Sequence, residues 1–114
     1  LLAEPQPPTA IFAVSDTHAM GVLEAARDLG LGVPHDLSVV GYDDIEVAEY
    51  LNLTTVNQSL FESGKGGAEM LLAMLDAGKA DFGARQHPTK VTTAEAIQVR
   101  LVVRGTTAAP AHRR

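Results

Sequence analysis

The sequence has no cysteine, no tryptophan and few other aromatic residues, with three Phe and two Tyr among 114 residues. Without cysteine the chain can form neither a disulfide nor a thiolate metal site, which fits a reducing compartment. Because aromatic side chains are scarce, the core must come mainly from Leu, Val, Ile and Ala. The sequence also lacks an apolar run long enough to span a membrane, and it shows no signal peptide.

Basic residues are outnumbered, since 9 Lys and Arg stand against 14 Asp and Glu, for a formal net charge of -5. Phosphate contacts need clustered Lys and Arg, so this balance disfavours direct binding to nucleic acid. Arg113 and Arg114 make too short a run to change that. The four histidines are scattered without metal-ligand spacing. We therefore expect no metal site and no cofactor.

The length allows one domain at most, with an ordinary apolar fraction of 46%. The chain begins with LLAE rather than with Met. This start reads like the end of a helix that is stopped by Pro5, Pro7 and Pro8. We expect a fragment of a longer polypeptide.

Hydrophobic patterning predicts a strand, a helix and a second strand in the first 41 residues. Ala10–Val14 is apolar throughout, as in a strand that is covered on both faces. Apolar residues then recur at three- and four-residue spacing from Ala19 to Leu29, which predicts an amphipathic helix that ends at Gly30. A second buried strand, Leu37–Gly41, follows. Together the three elements have the length of a right-handed βαβ unit.

The remainder predicts two further strands and one long helix. Leu53–Val56 is a candidate third strand, Ser59–Gly78 an amphipathic helix and Ile97–Val103 a last strand. Between the helix and the last strand, Lys79–Thr93 is polar and irregular, which predicts a mobile loop. The end of the chain, Ala108–Arg114, reads as a frayed tail.

Polar residues follow each of the first two strands. Ser15 and Asp16 come after the first strand, and Tyr42, Asp43 and Asp44 come after the second. Ligands of parallel sheets bind outside the carboxyl ends of the strands, so we expect these two corners to converge on one site. An ionised carboxylate accepts hydrogen bonds through two oxygens and can bridge vicinal hydroxyls of a sugar. The sequence therefore predicts a small-molecule site.

Several blocks in a fixed order carry a resemblance to a known family. They are VPHDLSVVGYDD at Val33–Asp44, LTTVNQ at Leu53–Gln58 and LVVRGTT at Leu101–Thr107. From Pro8 to Pro110 the chain resembles the C-terminal part of the lactose-repressor (LacI/GalR) family of bacterial transcription regulators. The resemblance implies an α/β fold, namely a Rossmann-like three-layer lobe of the periplasmic-binding-protein type I fold with a mostly parallel sheet.

By this resemblance, residues 1–114 form part of an effector-binding domain, and the DNA-binding headpiece is absent. The C-terminal lobe comprises residues 8–58 and 92–110, and the helix at 59–78 crosses into the N-terminal lobe. Without the sheet of that lobe, the leucines of this helix would expose an apolar patch. We expect the helix to pack against a second copy of the chain or against another surface of its own lobe.

The resemblance also implies roles for the polar corners. Asp43 matches the family position whose carboxylate accepts hydrogen bonds from effector hydroxyls or ring nitrogens. The alternative is that Asp43 caps the following turn, a structural role that we assign to Asp44. Ser15 lies where many sugar-responsive members have Asn. A hydroxyl lacks the separate donor and acceptor groups with which an amide can bind a ligand at two points. Asp16 either contacts the effector or caps the helix that follows.

Four further residues have two possible roles each. Gln58 either lines the floor of the cleft or satisfies backbone groups, and Tyr42 either stacks on a sugar or belongs to the core. Met20 and Tyr50 match positions that face the partner subunit of a dimer, and the alternative is that both are ordinary core or surface residues.

The implied function is allosteric. A small-molecule effector (a sugar, polyol or purine-like compound) would change the affinity of a homodimer for operator DNA. The headpiece missing from this chain would bind the DNA. We expect the protein to act in the cytoplasm, with no membrane partner. The alternative is a periplasmic-type sugar-binding protein of an uptake system, but the LTTVNQ and LVVRGTT blocks favour the regulator. A third interpretation is an enzyme that holds Mg²⁺ on Asp16, Asp43 and Asp44. We expect no enzymatic activity, because the sequence has neither a phosphate-binding loop nor a nucleophile elbow.

Overall fold

The computed structural model describes residues 1–79 and 97–110. In chain order its elements are β1 (Ala10–Phe12), α1 (Asp16–Asp28), β2 (Ser38–Val40), α2 (Glu46–Tyr50), β3 (Thr55–Asn57), α3 (Leu60–Lys79) and β4 (Arg100–Val102). They divide into two compact units, one of Leu1–Gln58 with Val99–Arg114 and one of Ser59–Gln98. Apart from Lys79, the stretch predicted as a loop lies outside the described residues, as do residues 111–114 of the predicted tail.

The predicted βαβ unit is confirmed. β1 and β2 pair in parallel, with Phe12 opposite Val40, and α1 connects them. The helix ends at Asp28 with Leu29 as its C-cap, and Gly30 then adopts the left-handed backbone (φ 69°) that favours glycine at this position. The buried core of the unit is small and aliphatic, as the scarcity of aromatic residues predicts. Its members are Ala13, Ala19, Ala26, Leu37, Val39, Ala48 and Leu53.

The strands β3 and β4 extend this layer. β3 begins beside the end of β2, where the Gly41 amide donates to the Thr54 carbonyl at 2.9 Å and Val40 bridges Thr54 in parallel. β4 then pairs antiparallel with β3, with Thr55 opposite Val102. The described strands thus form two two-stranded sheets, β1–β2 and β3–β4, which isolated parallel bridges join at Val40–Thr54 and Asp43–Asn57. Because β1, β2 and β3 share one direction, their carboxyl ends lie at a common edge.

The segment after β4 fastens these strands together. Thr106 is buried, and its hydroxyl donates to the Val39 carbonyl at 2.7 Å while it accepts from the Thr54 amide at 2.9 Å. The preceding residue, Gly105, donates its amide to the Asn52 carbonyl, and a Cβ at this position would overlap the Asn52 side chain. The block LVVRGTT is therefore a structural connector between strands that are distant in sequence.

The second unit contains α3, whose predicted extent (residues 59–78) agrees with the observed helix to within one residue. Its apolar side chains are exposed in the single chain, and those with more than half of their surface accessible include Leu60, Phe61, Leu71, Leu72 and Leu75. An apolar stripe of this kind needs a cover. That a second copy or another surface supplies it remains a prediction. None of the helices in the described part of the chain combines the length and hydropathy that a bilayer-spanning segment needs.

Candidate functional site

The two polar corners meet, as predicted from the strand order. The Asp16 amide donates to the Tyr42 carbonyl at 2.7 Å, which joins the residues that follow β1 to the residues that follow β2. The Asp43 amide in turn donates to the Val56 carbonyl of β3 at 2.9 Å. Three strand ends therefore bring their polar residues to one edge of the sheet, within the first unit.

Ser15 is the N-cap of α1. Its backbone is extended, and its hydroxyl accepts from the His18 amide at 3.3 Å and lies 2.8 Å from His18 Nδ1. A hydroxyl at the N-cap satisfies one of the amides that the first helical turn leaves without a partner. The prediction that Asp16 could be the cap is therefore wrong, because the position belongs to Ser15, one residue earlier.

Asp16 lies beneath the corner, with no accessible surface. Its carboxylate accepts from the Ile45 amide at 2.9 Å and from the Thr55 hydroxyl at 2.5 Å. A buried charge is costly unless such donors compensate it, and the adjacent N-terminus of α1 adds favourable partial positive charge. The structure thus gives Asp16 no surface for direct contact with a ligand. It holds the turn after β2 against β3.

Gly41 is required by this arrangement. A Cβ on Gly41 would overlap the Asp16 carboxylate and would approach Leu53 Cδ2 to 3.0 Å. The glycine of the GYDD sequence therefore leaves room for the buried carboxylate. In this way the sequence couples the end of β2 to the start of α1.

Asp43 lies at the rim of the same edge, half-buried. Its backbone has a φ of 110°, a conformation that is rare for residues other than glycine and that points to a functional constraint. The Gln58 side-chain amide donates to Asp43 Oδ1 at 2.5 Å. Among the described residues, Oδ2 has no hydrogen-bond partner, so this carboxylate keeps an oxygen for an external donor.

Asp44, the next residue, is tied into the protein. Its carboxylate accepts from Asn57 Nδ2 at 2.7 Å and from Arg104 Nη2 at 2.8 Å. Burial raises the pKa of Asp44, but the hydrogen bonds from Asn57 and Arg104, with the charges of Arg104 and Arg100, outweigh it and hold the pKa below its usual range. Asp44 therefore stays ionised and structural, as predicted.

The other predicted residues occupy different places. Tyr42 is half-buried, and its ring packs edge-on against Phe12 with centroids 6.3 Å apart. That the Tyr42 ring stacks on a sugar remains a prediction. Met20 and Tyr50 are exposed, at 39% and 79%. Met20 lines a shallow groove with Leu23 and Leu51, outside the polar corner.

The sequence analysis missed Arg104 and Asn57 as members of this site. Arg104 donates to Asp44 and, through Nη1, to the Leu53 carbonyl at 2.8 Å, so it links three segments. The available signal was a single Arg in an otherwise apolar block, since an arginine there needs a carboxylate partner. Residues 1–79 and 97–110 contain no group of three or more His, Cys, Asp or Glu placed to hold a metal ion.

Comparison with known proteins agrees with this geometry. Residues 1–107 match the family model for the periplasmic binding protein-like domain. The chain is 36% identical over 111 residues to the HTH-type transcriptional repressor CytR of Escherichia coli K12 and 48% identical over 87 residues to the HTH-type transcriptional repressor PurR of Vibrio vulnificus. These alignments cover 96% and 74% of this chain but 30% and 26% of the relatives, so the chain spans under a third of their length.

Solved structures give the same assignment. A LacI transcriptional regulator from a Rhodococcus species superposes with a TM-score of 0.76 at 33% identity, covering 98% of this chain and 38% of that protein. A LacI-family regulator from Enterococcus faecium, solved with bound ribose, superposes with a TM-score of 0.72 at 30% identity, covering 90% of this chain and 35% of that one. The chain therefore belongs to the periplasmic binding protein-like domain family, in the form that occurs in LacI-family transcription regulators.

Proposed function

We propose that this chain is part of the effector-binding region of a LacI-family transcription regulator. A sugar or a related small metabolite would bind at the edge where Ser15, Tyr42 and Asp43 lie. Occupancy of this site would change the affinity of the full gene product for operator DNA, which a separate headpiece would contact. The chemistry is binding rather than catalysis, and the place of action is the cytoplasm.

The three acidic residues differ in how many hydrogen bonds their carboxylates accept from the protein, and this difference supports the proposal most directly. Asp16 and Asp44 are fully engaged by protein donors, whereas Asp43 stands at the rim with one oxygen directed to no described partner. The charge-assisted hydrogen bonds that such a carboxylate accepts are about twice as strong as neutral ones. A polyhydroxylated ligand has the donors that Asp43 needs.

The regulator is favoured over the sugar-binding protein of an uptake system. The relatives with which the chain shares most of its length are transcriptional repressors. In a regulator, ligand binding acts on DNA affinity only through the difference in ligand affinity between two conformational states. The net negative charge of this chain agrees with an indirect role in DNA binding.

A homodimer is part of the proposal, with Met20 and Tyr50 on the facing surface. Both side chains are exposed in the single chain, and Leu51 at 38% exposure lies next to them. Exposed aromatic and Met side chains are enriched at protein interfaces. Sedimentation equilibrium of wild type and of Tyr50→Asp would test this, because a charge at a dimer contact should shift the protein towards monomer.

Calorimetric titration of the full gene product with sugars, polyols and purines tests the proposed site. For any ligand that binds, Asp43→Ala should weaken binding about tenfold to a hundredfold, since a hydrogen bond to a charged group contributes about 1.5–3 kcal/mol. Asp28→Ala, which removes an exposed carboxylate at the end of α1, is the matched control and should leave affinity unchanged. A ligand that keeps its affinity in Asp43→Ala would contradict the assignment.

A further inference from the structure

Gln58 lies beside the carboxylate on which the proposed function depends. Its side-chain amide donates to Asp43 Oδ1 at 2.5 Å, and both residues are half-buried. In the ligand-free chain, therefore, Asp43 is not a fully open acceptor. One of its oxygens already holds a donor that belongs to the protein.

We propose that Gln58 competes with the effector for Asp43, an inference that rests on the proposed function. A ligand with two neighbouring donors, such as a vicinal diol, engages both oxygens of a carboxylate. The amide of Gln58 already occupies one of the acceptor sites of Oδ1 at 2.5 Å, so we infer that a ligand that approaches this oxygen from the same side displaces it. Gln58 thereby makes ligand affinity selective. A ligand binds well only if its donors replace the hydrogen bond of Gln58 and also engage the second oxygen of Asp43.

Local restraints favour movement of Gln58 over movement of its neighbour. Asn57 is held twice, since it pairs with Arg100 in the β3–β4 ladder and donates its side-chain amide to Asp44 at 2.7 Å. Gln58 follows the last paired residue of β3. Within the described part of the chain, Asp43 is the hydrogen-bond partner of its side chain. Its release costs one hydrogen bond, which water can replace at this half-buried position.

The position of Gln58 in the chain gives this exchange a consequence. The following residue, Ser59, has a left-handed backbone with a φ of 53°, and α3 begins at Leu60. Effector binding at Asp43 therefore removes a side-chain restraint directly before the peptide that leads into α3. Site occupancy and the conformation of this connection are then linked.

Gln58→Leu tests the competition, because it removes the amide donor while keeping most of the side-chain volume. D-Ribose is the probe, and the protein is the full gene product. We expect Gln58→Leu to bind ribose about threefold to tenfold more tightly than wild type, since it deletes one competing hydrogen bond. The exposed residue Gln6, changed to Leu, is the control and should match wild type. Weaker or unchanged binding by Gln58→Leu would overturn the inference.

The same experiment separates the inference from the proposed function. If Asp43→Ala leaves ribose affinity unchanged, the assignment of the site fails. If Asp43→Ala abolishes binding but Gln58→Leu weakens it, only the competition fails, and Gln58 is then a direct contact or a residue that orients Asp43. The two substitutions thus give different results for the two ideas.

A ligand-free measurement decides the competition even if ribose does not bind. In ¹H–¹⁵N spectra of the 114-residue chain, the Gln58 side-chain amide can be assigned from its disappearance in Gln58→Leu. Asp43→Ala should shift this resonance and speed its exchange with water, while the amide of Gln6 stays in place. A Gln58 amide that does not respond to Asp43→Ala would refute the contact and the competition with it.

Discussion

Removal of the Arg104 guanidinium should destabilise the first unit strongly. Arg104 donates to Asp44 Oδ1 and to the Leu53 carbonyl, each at 2.8 Å, and the two charged side chains are only 18% and 11% exposed. Arg104→Gln leaves the carboxylate of Asp44 with Asn57 as its donor and leaves the Leu53 carbonyl without its arginine. We expect the free energy of unfolding to fall by about 2–4 kcal/mol, the range for breaking a largely buried, hydrogen-bonded ion pair.

The chain provides a matched control on its surface. Arg27 forms an ion pair with Glu24 on α1, and these side chains are 73% and 57% exposed. Because exposed pairs are screened by water and salt, Arg27→Gln should cost less than about 1 kcal/mol. Urea unfolding followed by circular dichroism measures both variants, and this probe suits a chain without tryptophan.

The effect of pH gives a second check with a defined sign. The folded state holds the pKa of Asp44 below its usual range, so the ionised carboxylate contributes stability that is complete above the unfolded pKa. This contribution is lost as the pH falls through the folded pKa, below about 4. The difference in free energy of unfolding between wild type and Arg104→Gln should therefore become smaller from neutral to acidic pH. An equal cost for Arg104→Gln and Arg27→Gln at pH 7, or a difference that is independent of pH, would refute this account.

Three further substitutions have expected outcomes in the same unfolding assay. Gly41→Ala forces a methyl group into the Asp16 carboxylate and should destabilise the chain by about 3 kcal/mol, whereas a cost near zero would show that the buried carboxylate can move. Thr106→Val removes a buried hydroxyl that donates to one strand and accepts from the next, and should cost about 2–4 kcal/mol; a neutral result would contradict its role as a connector. Gly67→Ala lies in α3 with open space around its Cβ and should increase helicity and stabilise the helix by about 0.5–1 kcal/mol, so a loss would point to a contact at this position.

Much of the first unit could be predicted from the sequence, because its elements depend on local patterns. The apolar run from Ala10 and the three- and four-residue spacing of the following helix specify β1 and α1 without knowledge of the rest of the chain. Gly30 marks the helix end through its backbone freedom. The convergence of the corners after β1 and β2 follows from the parallel βαβ geometry. The strand bounds were predicted less well. The first two predicted strands are one or two residues too long, the third begins two residues early and ends one residue short, and the last begins three residues early.

The roles of the individual acidic residues could not be predicted in the same way. Whether a carboxylate is buried depends on donors that come from distant segments. Asp16 receives its hydrogen bonds from Ile45 and Thr55, which are 29 and 39 residues away in sequence. Asp44 meets Arg104 from 60 residues away. The residues next to Asp16 in sequence therefore predicted an N-cap or a ligand contact, because the donors that bury Asp16 come from distant segments.

The distribution of donors around the three carboxylates explains why one of them is suited to ligand binding. Asp16 and Asp44 each accept two hydrogen bonds from the protein. Asp16 accepts from a backbone amide and a hydroxyl, and Asp44 accepts from a side-chain amide and a guanidinium. These contacts hold the backbone that follows Asp43, at Asp44 and Ile45, which helps to explain how the strained φ of Asp43 persists. A carboxylate in a fixed backbone and with a single internal donor is preorganised for an external one. Replacement of Asp16 or Asp44 should therefore weaken effector binding at the proposed site, although protein donors already occupy both carboxylates.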